Sequence, residues 1–178
     1  MIPRREFHPL QAVEIAKAFQ AAQVDYLFIG KGGAILLGFP GSTQDVDVFV
    51  ARSPENAERL IIALRGAGFA IEDSLAQDIR SGKDFVQIKT GPYDVNLIFA
   101  PGGIDSFAAA KARSLSLEIF MIANLRDIIA SKWASNRQKD LLDLPLLEAF
   151  REEFEKRHSK PLRTAVEIAA EKSMDSKK

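Results

Sequence analysis

The chain has 178 residues, of which 47% are hydrophobic and 27% charged, a composition that predicts an ordinary globular protein with one sizeable core. Its 24 basic and 24 acidic side chains balance, so overall charge gives no case for binding to nucleic acid or to a membrane surface. The absence of cysteine excludes disulfides, thiolate metal sites and thiol catalysis, and with only two histidines, both near the termini, histidine-based acid–base chemistry is not expected.

The first half of the sequence predicts alternating helices and strands around a glycine-rich turn. Apolar residues at helical spacing indicate helices, and runs of β-branched and aromatic residues indicate strands. The predicted elements are a helix over 9–23, a strand over 24–29, a short helix over 34–37, a strand over 43–50 and a helix over 54–66. Glycines at positions 30, 32 and 33 separate the first strand from the short helix.

The second half predicts a hairpin followed by helices. The predicted elements are a short strand over 69–71, a polar connection over 74–83, strands over 85–89 and 94–99, a short helix over 104–112 and a strand over 117–122. Asn124 caps a predicted helix that runs through Trp133, which we expect in the core. After a break near Asn136, a second helix contains Pro145, which should kink or restart it.

These elements favour one domain with a helical extension. Residues 1–122 form the predicted core, residues 123–178 form a helical segment packed on it, and residues 174–178 are expected to fray. The first residues lack the apolar segment of a signal peptide, and no apolar run approaches the roughly 20 residues of a membrane helix. We therefore expect a cytoplasmic protein without a membrane partner.

Two carboxylates two residues apart are the strongest chemical feature of the sequence. Asp45 and Asp47 lie in an apolar, β-branched run, and because strand side chains alternate, both must point the same way. Like charges held together repel and lose hydration, which a folded protein tolerates mainly when a cation binds between them. Such oxygen ligands suit Mg²⁺ or Mn²⁺. The alternative is a solvated edge strand, but Val48 and Phe49 are more typical of a core.

Two further features would complete a site for phosphoryl transfer. Asp94 begins the second hairpin strand, where it supplies a third carboxylate if that strand pairs beside the first acidic one; alone it is equally typical of a turn. The glycine-rich turn from Gly30 to Gly33 would offer backbone N–H groups to phosphate, although a simple tight turn explains it equally well. With a nucleoside triphosphate, two ions would activate an attacking hydroxyl and neutralise the pyrophosphate leaving group.

At these residues the chain resembles the polymerase-β-like nucleotidyltransferase superfamily, whose pattern is a hydrophobic residue, Gly-Gly or Gly-Ser, a spacer, and Asp-x-Asp or Asp-x-Glu. Ile29-Gly30-Lys31 precedes Asp45-Val46-Asp47 by 13 residues and Gly32-Gly33 precedes it by 11; the first register is favoured because Ile29 supplies the hydrophobic residue. The resemblance implies a mixed β-sheet flanked by helices, bound Mg²⁺ and a nucleoside triphosphate substrate. It also implies three catalytic, metal-binding carboxylates, at Asp45, Asp47 and Asp94.

A closer resemblance is to small bacterial proteins related to the AbiEii toxins of toxin–antitoxin and phage-defence systems. Those read Asp/Glu-x-Leu-Ile-x-x-Lys and then Arg-x-Lys-Asp-x-x-Asp; this chain has related stretches over 126–132 and 137–143. The likeness spans about residues 24 to 150. By resemblance, the nucleotide-binding residues are Gly30, Lys31, Ser42, Thr43 and Lys132, and the residues that brace the site are Arg137, Asp140 and Asp143.

Two departures from the family pattern affect the phosphate site. Lys31 stands where a second glycine or serine is usual, and Gly41 stands where relatives commonly carry an arginine, which leaves phosphate contacts there to Ser42 and Thr43. The resemblance implies transfer of a nucleoside monophosphate to a hydroxyl on tRNA, a protein or a small molecule, with a cognate antitoxin as a further partner. The alternatives are a catalytically inactive nucleotide- or partner-binding protein on the same fold, and an unrelated α/β protein.

Overall fold

Six β-strands form one sheet within residues 8–158, the part of the chain that the computed structural model describes. In chain order they are β1 (Tyr26–Ile29), β2 (Asp45–Val50), β3 (Phe85–Ile88), β4 (Asp94–Ile98), β5 (Leu115–Leu117) and β6 (Phe120–Ile122). Their order across the sheet is β3-β4-β2-β1-β6-β5. β2 therefore lies in the interior, parallel to β4 on one side and antiparallel to β1 on the other.

Seven helices within the same residues accompany the sheet, and the predicted mixed α/β architecture is confirmed. They are α1 (Pro9–Ala21), α2 (Gly30–Leu36), α3 (Pro54–Gly66), α4 (Asp73–Ser81), α5 (Phe107–Ala112), α6 (Leu125–Ser135) and α7 (Gln138–His158). The predicted hairpin is also confirmed, because β3 and β4 pair antiparallel. α2 begins at Gly30, so Gly32 and Gly33, predicted as part of a turn, are instead helical.

Alternation along β2 gives its two faces different neighbours. Val46 and Val48 belong to a buried cluster that includes residues of α1 and α3. Phe49 belongs to a second cluster, which includes Ile128 of α6 and Leu147 of α7. Because Asp45 and Asp47 alternate with the valines, they lie on the face covered by α6 and α7. The solvated edge strand considered as an alternative is therefore wrong, since β2 is paired on both sides.

Three predictions for the middle of the chain were wrong. Most of residues 74–83, predicted as a polar connection, belong to α4, which buries Ala76 and Ile79 at a helical spacing and leaves its polar residues outside. Residues 69–71 form no strand, although Phe69 and Ile71 are buried in the core. The single strand predicted over 117–122 is a tight hairpin of β5 and β6, which turns at Glu118 with φ 54°.

The two helices that follow the sheet begin and break as predicted. Asn124 caps α6, its side-chain oxygen accepting a hydrogen bond from the Asp127 N–H at 2.9 Å. Asn136 adopts a left-handed conformation, with φ 49°, and separates α6 from α7. Pro145 lies inside α7, which continues through it to His158, so the helix does not restart there.

The prediction for Trp133 was wrong, because its side chain is 56% exposed. The buried side of α6 carries Leu125, Ile128, Ile129 and Lys132, so a lysine takes the inward position next to the tryptophan. Within residues 8–158, no helix has the length and apolar character needed to span a membrane. The fraying predicted for residues 174–178, and the end of the helical segment from 159 onward, lie outside the described residues.

Candidate active site

A cleft of about 520 Å³ opens where the acidic face of β2 meets α2, α6 and α7. All the predicted site residues except Asp94 line it: Gly30, Lys31, Ser42, Thr43, Asp45, Asp47, Lys132, Arg137, Asp140 and Asp143. Residues more than 100 positions apart in the chain thus meet in one place, as the Lys31–Asp143 contact across 112 positions illustrates.

Asp94 begins the strand that pairs beside the first acidic one, as predicted, but it lies outside the lining of the cleft. The parallel pairing of β2 and β4 aligns Asp94 with Asp45 and Asn96 with Asp47. Asp94 therefore lies on the acidic face of the sheet, yet it is not part of the cleft lining, whereas Asn96 is. Within residues 8–158, no three histidine, cysteine, aspartate or glutamate side chains are grouped so that they could hold a metal ion. The cleft thus contains two of the three predicted metal ligands.

Asp47 is enclosed on two sides. The Asn96 Nδ2 donates a hydrogen bond to Asp47 Oδ1 at 2.8 Å, and Gly30 lies so close to Asp47 Oδ2 that a side-chain carbon at position 30 would overlap it. Burial raises the pKa of Asp47; the Asn96 hydrogen bond opposes this, and the negative charge of Asp45 adds to it. The charged form of Asp47 is therefore disfavoured in the protein alone, and a cation beside it would restore that form.

The residues fit a divalent cation in one further respect. Asn96 Oδ1 is buried and has no hydrogen-bond partner among residues 8–158. Leaving a buried polar atom unsatisfied costs about 1–3 kcal/mol, so such atoms in folded proteins usually indicate an ordered water, an ion or a functional site. Carboxylate and amide oxygens are the ligands that hard divalent ions prefer. Asp45, Asp47 and Asn96 together present this donor set at the cleft.

Gly30→Ala should destabilise the protein and weaken divalent-ion binding. Gly30 has φ +66°, where a side chain costs roughly 1–2 kcal/mol, and the new methyl group would also displace Asp47. Gly68→Ala is a matched control, because Gly68 has φ +92° but open space around its Cα. In urea denaturation, the free energy of unfolding should fall clearly more in Gly30→Ala than in Gly68→Ala. Equal decreases would contradict the close approach of Gly30 to Asp47.

The opposite wall of the cleft is a buried cluster of charges around Asp140. Its carboxylate accepts hydrogen bonds from Lys132 Nζ at 3.0 Å and from Ser135 Oγ and Arg137 Nε, both at 2.7 Å. Burial by itself would raise the pKa of Asp140, but these hydrogen bonds outweigh it and lower the pKa to about 2. Asp140 is thus a buried anion, and Lys132 is its buried partner rather than a solvated side chain.

Lys31 reaches the same cluster from α2. Its Nζ lies 3.2 Å from Asp143 Oδ1, while Lys132 Nζ lies 3.7 Å from Asp143 Oδ2, so Asp143 links two lysines. A side-chain carbon on Gly41 would lie 3.2 Å from Lys31 Cε. The two departures from the family pattern are therefore neighbours in space, because the Lys31 side chain passes over Gly41.

The acidic and basic side chains of the cleft balance in number but are unevenly placed. The acidic residues are Asp45, Asp47, Asp140 and Asp143, and the basic residues, the cations, are Lys31, Lys132, Arg137 and Lys139. Three of the cations, Lys31, Lys132 and Arg137, pair with Asp140 or Asp143, whereas Asp45 and Asp47 make no ion pair with any residue in the range 8–158. An ion bound at Asp45 and Asp47 would thus give the cleft a net positive charge. The nearby lysines and arginine could then donate hydrogen bonds to phosphate oxygens.

No family model matches the chain, and no curated protein matches it. Among solved structures it is similar to the crystal structure of JHP933 from Helicobacter pylori, with 17% sequence identity and a TM-score of 0.49. The match covers 83% of this chain and 67% of that chain. A likeness this distant does not assign the chain to a family.

Several cleft residues were not predicted from the sequence. Asn96 lies two positions after Asp94 on the same face of β4, so strand alternation alone would have included it as a candidate. Ser135 precedes the break at Asn136 and reaches Asp140 only because α7 folds back on α6. Phe85, which is 50% exposed, and Gln87 line the cleft on the edge strand β3, where an alternating pattern does not reveal which face meets a ligand.

Proposed function

We propose that the protein is a magnesium-dependent nucleotidyltransferase, which transfers a nucleoside monophosphate from a nucleoside triphosphate to an acceptor hydroxyl and releases pyrophosphate. One observation supports this above all: Asp45 and Asp47 share a cleft with Lys31, Lys132 and Arg137. Paired carboxylates next to clustered cations are the two parts that a metal–triphosphate complex requires.

The roles of the residues follow from their positions. Asp45 and Asp47 would hold Mg²⁺ or Mn²⁺, which supplies activation of the acceptor hydroxyl and charge neutralisation of the leaving pyrophosphate. Lys31 and Lys132 would donate to phosphate oxygens, which compete with Asp143 for both lysines. Asp94, beside Asp45 on the same face of the sheet, remains the proposed base for the acceptor.

Ser42 and Thr43 line the cleft just before the metal-binding strand. The Thr43 hydroxyl donates to the backbone oxygen of Asp45 at 3.4 Å, which is a long hydrogen bond that a phosphate oxygen could replace. Gly30 lets the backbone approach Asp47 closely, because a side-chain carbon there would overlap Asp47 Oδ2. These residues would therefore orient the triphosphate over the two carboxylates.

Triphosphate binding should depend strictly on a divalent ion. Without one, four carboxylates offset the four cations of the cleft, and Asp45 and Asp47 repel the phosphates. Calorimetry with each nucleoside triphosphate should give at least about tenfold tighter binding with Mg²⁺ than with chelator present. Lys31→Met should weaken the Mg²⁺-dependent binding, whereas Lys83→Met, which removes an exposed lysine that pairs with Asp78, should not. Equal binding with and without the ion would contradict the proposal.

A second candidate is a catalytically silent nucleotide-binding or partner-binding protein. The specific observation in its favour is that Asn96, not a third carboxylate, lies beside Asp47 in the cleft. A labelled-triphosphate assay with tRNA, protein and small-molecule fractions separates the two candidates. Transfer of label to any fraction supports the enzyme, and tight Mg²⁺-dependent binding without transfer supports the silent protein.

The resemblance to AbiEii-type toxins extends the proposal to a cellular role. We infer a cytoplasmic toxin of a toxin–antitoxin or phage-defence system, whose acceptor is a hydroxyl on tRNA, on a protein or on a small molecule. Expression of the wild-type chain should then slow bacterial growth, and coexpression of a cognate antitoxin should relieve it. Growth inhibition that persists in Asp45→Asn would contradict a toxic nucleotidyltransferase activity.

A further inference from the structure

Asn96 has the properties of a ligand rather than of a packing residue. It is 7% exposed, it pairs with Asp47 across the parallel strands β2 and β4, and its amide nitrogen donates a hydrogen bond to Asp47. Beside a bound cation Asp47 is ionised and only accepts hydrogen bonds, so the amide presents its nitrogen to Asp47 and keeps its oxygen for another partner. That oxygen is buried and has no hydrogen-bond partner within residues 8–158.

We propose that Asn96, and not Asp94, completes the divalent-cation site, with its Oδ1 as the third protein oxygen beside the carboxylates of Asp45 and Asp47. The inference rests on the proposed function, since it concerns the same cleft. Asn96 lines that cleft and Asp94 does not. Neighbouring strands lie roughly 4.8 Å apart, so side chains paired across β2 and β4 are close enough to share one ion.

The charge of this ligand set has a consequence for how ions bind. Two carboxylates and a neutral amide carry two negative charges, which one divalent ion neutralises completely. A third carboxylate would leave a surplus charge to attract a second ion. The protein alone should therefore hold one divalent ion in the cleft, and a second would bind only together with the triphosphate, whose oxygens supply its ligands.

The ligand assignment can be tested without any measurement of activity. Terbium luminescence lifetimes in H₂O and D₂O count the water molecules on a bound ion, and Mn²⁺ titration followed by electron paramagnetic resonance gives affinity. Asn96→Ala should add one water to bound Tb³⁺ and weaken Mn²⁺ binding at least about tenfold. Asp94→Asn is the comparison variant: it should add no water to bound Tb³⁺ and should weaken Mn²⁺ binding less than Asn96→Ala does, because it removes only a nearby charge.

Asn96→Asp and Asn96→Ala together separate a ligand from a residue that only orients Asp47. As a ligand, the new carboxylate of Asn96→Asp takes the same place on the ion, so the number of water molecules on Tb³⁺ should stay at the wild-type value while Mn²⁺ binds more tightly. A residue that only orients Asp47 holds no place on the ion, so Asn96→Ala would then add no water to Tb³⁺. Circular dichroism and thermal unfolding of each variant identify any that fail to fold, and Asn96→Ala and Asn96→Asp provide two independent substitutions.

The outcomes distinguish failure of this inference from failure of the proposed function. An added water and weaker Mn²⁺ binding in Asp94→Asn, with Asn96→Ala unchanged, would overturn the inference alone, as would weaker binding in Asn96→Asp. If Asp45→Asn leaves Mn²⁺ affinity unchanged, or if the wild type binds no Mn²⁺, the metal site of the proposed function is itself overturned.

Discussion

Replacing Asp45 or Asp47 by asparagine should abolish nucleotide transfer and leave the protein folded. Each substitution keeps the shape of the side chain and removes one of the two charges that would hold the ion in the cleft. Loss of charge stabilisation at a reacting centre typically costs about 10²–10³ in rate for one group, and loss of a metal ligand should cost at least as much. A labelled-triphosphate transfer assay measures the effect.

The same substitutions should not destabilise the fold. Burial raises the pKa of Asp47, so at neutral pH its ionised form opposes folding, and Asp47→Asn should be at least as stable as the wild type. As the pH falls through the raised pKa, the folded wild type takes up a proton before the unfolded chain does. The stability advantage of Asp47→Asn should therefore shrink between neutral pH and about pH 4. Urea denaturation at a series of pH values measures this trend.

Asp78→Asn is a matched control for both measurements. Asp78 lies on α4, away from the cleft lining, and pairs only with the exposed Lys83 among residues 8–158. The Asp78→Asn variant should transfer nucleotide at the wild-type rate. Its stability relative to the wild type should not change with pH in the way expected for Asp47→Asn. Full transfer activity in either Asp45→Asn or Asp47→Asn would contradict the assignment of these residues.

Asp140→Ala should be among the most destabilising single changes in the described part of the chain. It leaves the buried ammonium of Lys132 without its closest partner and also removes the acceptor for Ser135 and Arg137. Removing one partner of a buried ion pair costs about 3–5 kcal/mol, although Asp143 at 3.7 Å from Lys132 offers partial compensation. Denaturant unfolding of the variant measures the loss.

The double variant Asp140→Leu with Lys132→Met is the control for this prediction. It replaces both charges by apolar groups and should recover much of the stability that Asp140→Ala loses, because no buried charge remains unpaired. Asp143→Ala should cost less than Asp140→Ala, since the Asp143 side chain is 25% exposed against 3% for Asp140. If Asp140→Ala unfolds at the same denaturant concentration as the wild type, the buried charge of Lys132 does not need Asp140 as its partner.

Low pH should remove the contribution of the Asp140 carboxylate to the stability of the fold. The pKa of Asp140 is lowered to about 2, so its contribution to stability is present above the unfolded value of about 3.9 and is lost as the pH falls through about 2. The stability difference between the wild type and Asp140→Ala should therefore narrow between pH 4 and pH 2. A difference that stays constant over this range would contradict a depressed pKa.

Local patterns were sufficient to predict most of the strands and the acidic pair. In β2, two aspartates alternate with valines, and this alternation alone predicts that the two aspartates point to the same face of the sheet. The hairpin of β3 and β4 was predictable for the same reason, because its strands alternate and a glycine–proline turn joins them. α4 was missed because it has only three apolar residues, Leu75, Ala76 and Ile79, and three in a polar stretch do not establish a helical period.

The composition of the site could be predicted only in part, because it depends on long-range pairing. No local pattern fixes whether Asp94 or Asn96 of β4 faces Asp47, since both lie on one face and the register is set across 49 positions. Likewise, Lys132 was predicted to contact phosphate from the family resemblance alone. Its pairing with Asp140 depends on how α7 turns back after Asn136, which is a tertiary property.

The most direct test is a crystal structure of the protein grown with Mn²⁺ and a non-hydrolysable nucleoside triphosphate. Anomalous diffraction should place Mn²⁺ within about 2.0–2.3 Å of carboxylate oxygens of Asp45 and Asp47, with the triphosphate between that ion and Lys31 and Lys132. A triphosphate bound elsewhere, or no anomalous peak at the two aspartates, would contradict a metal-dependent nucleotidyltransferase site in this cleft.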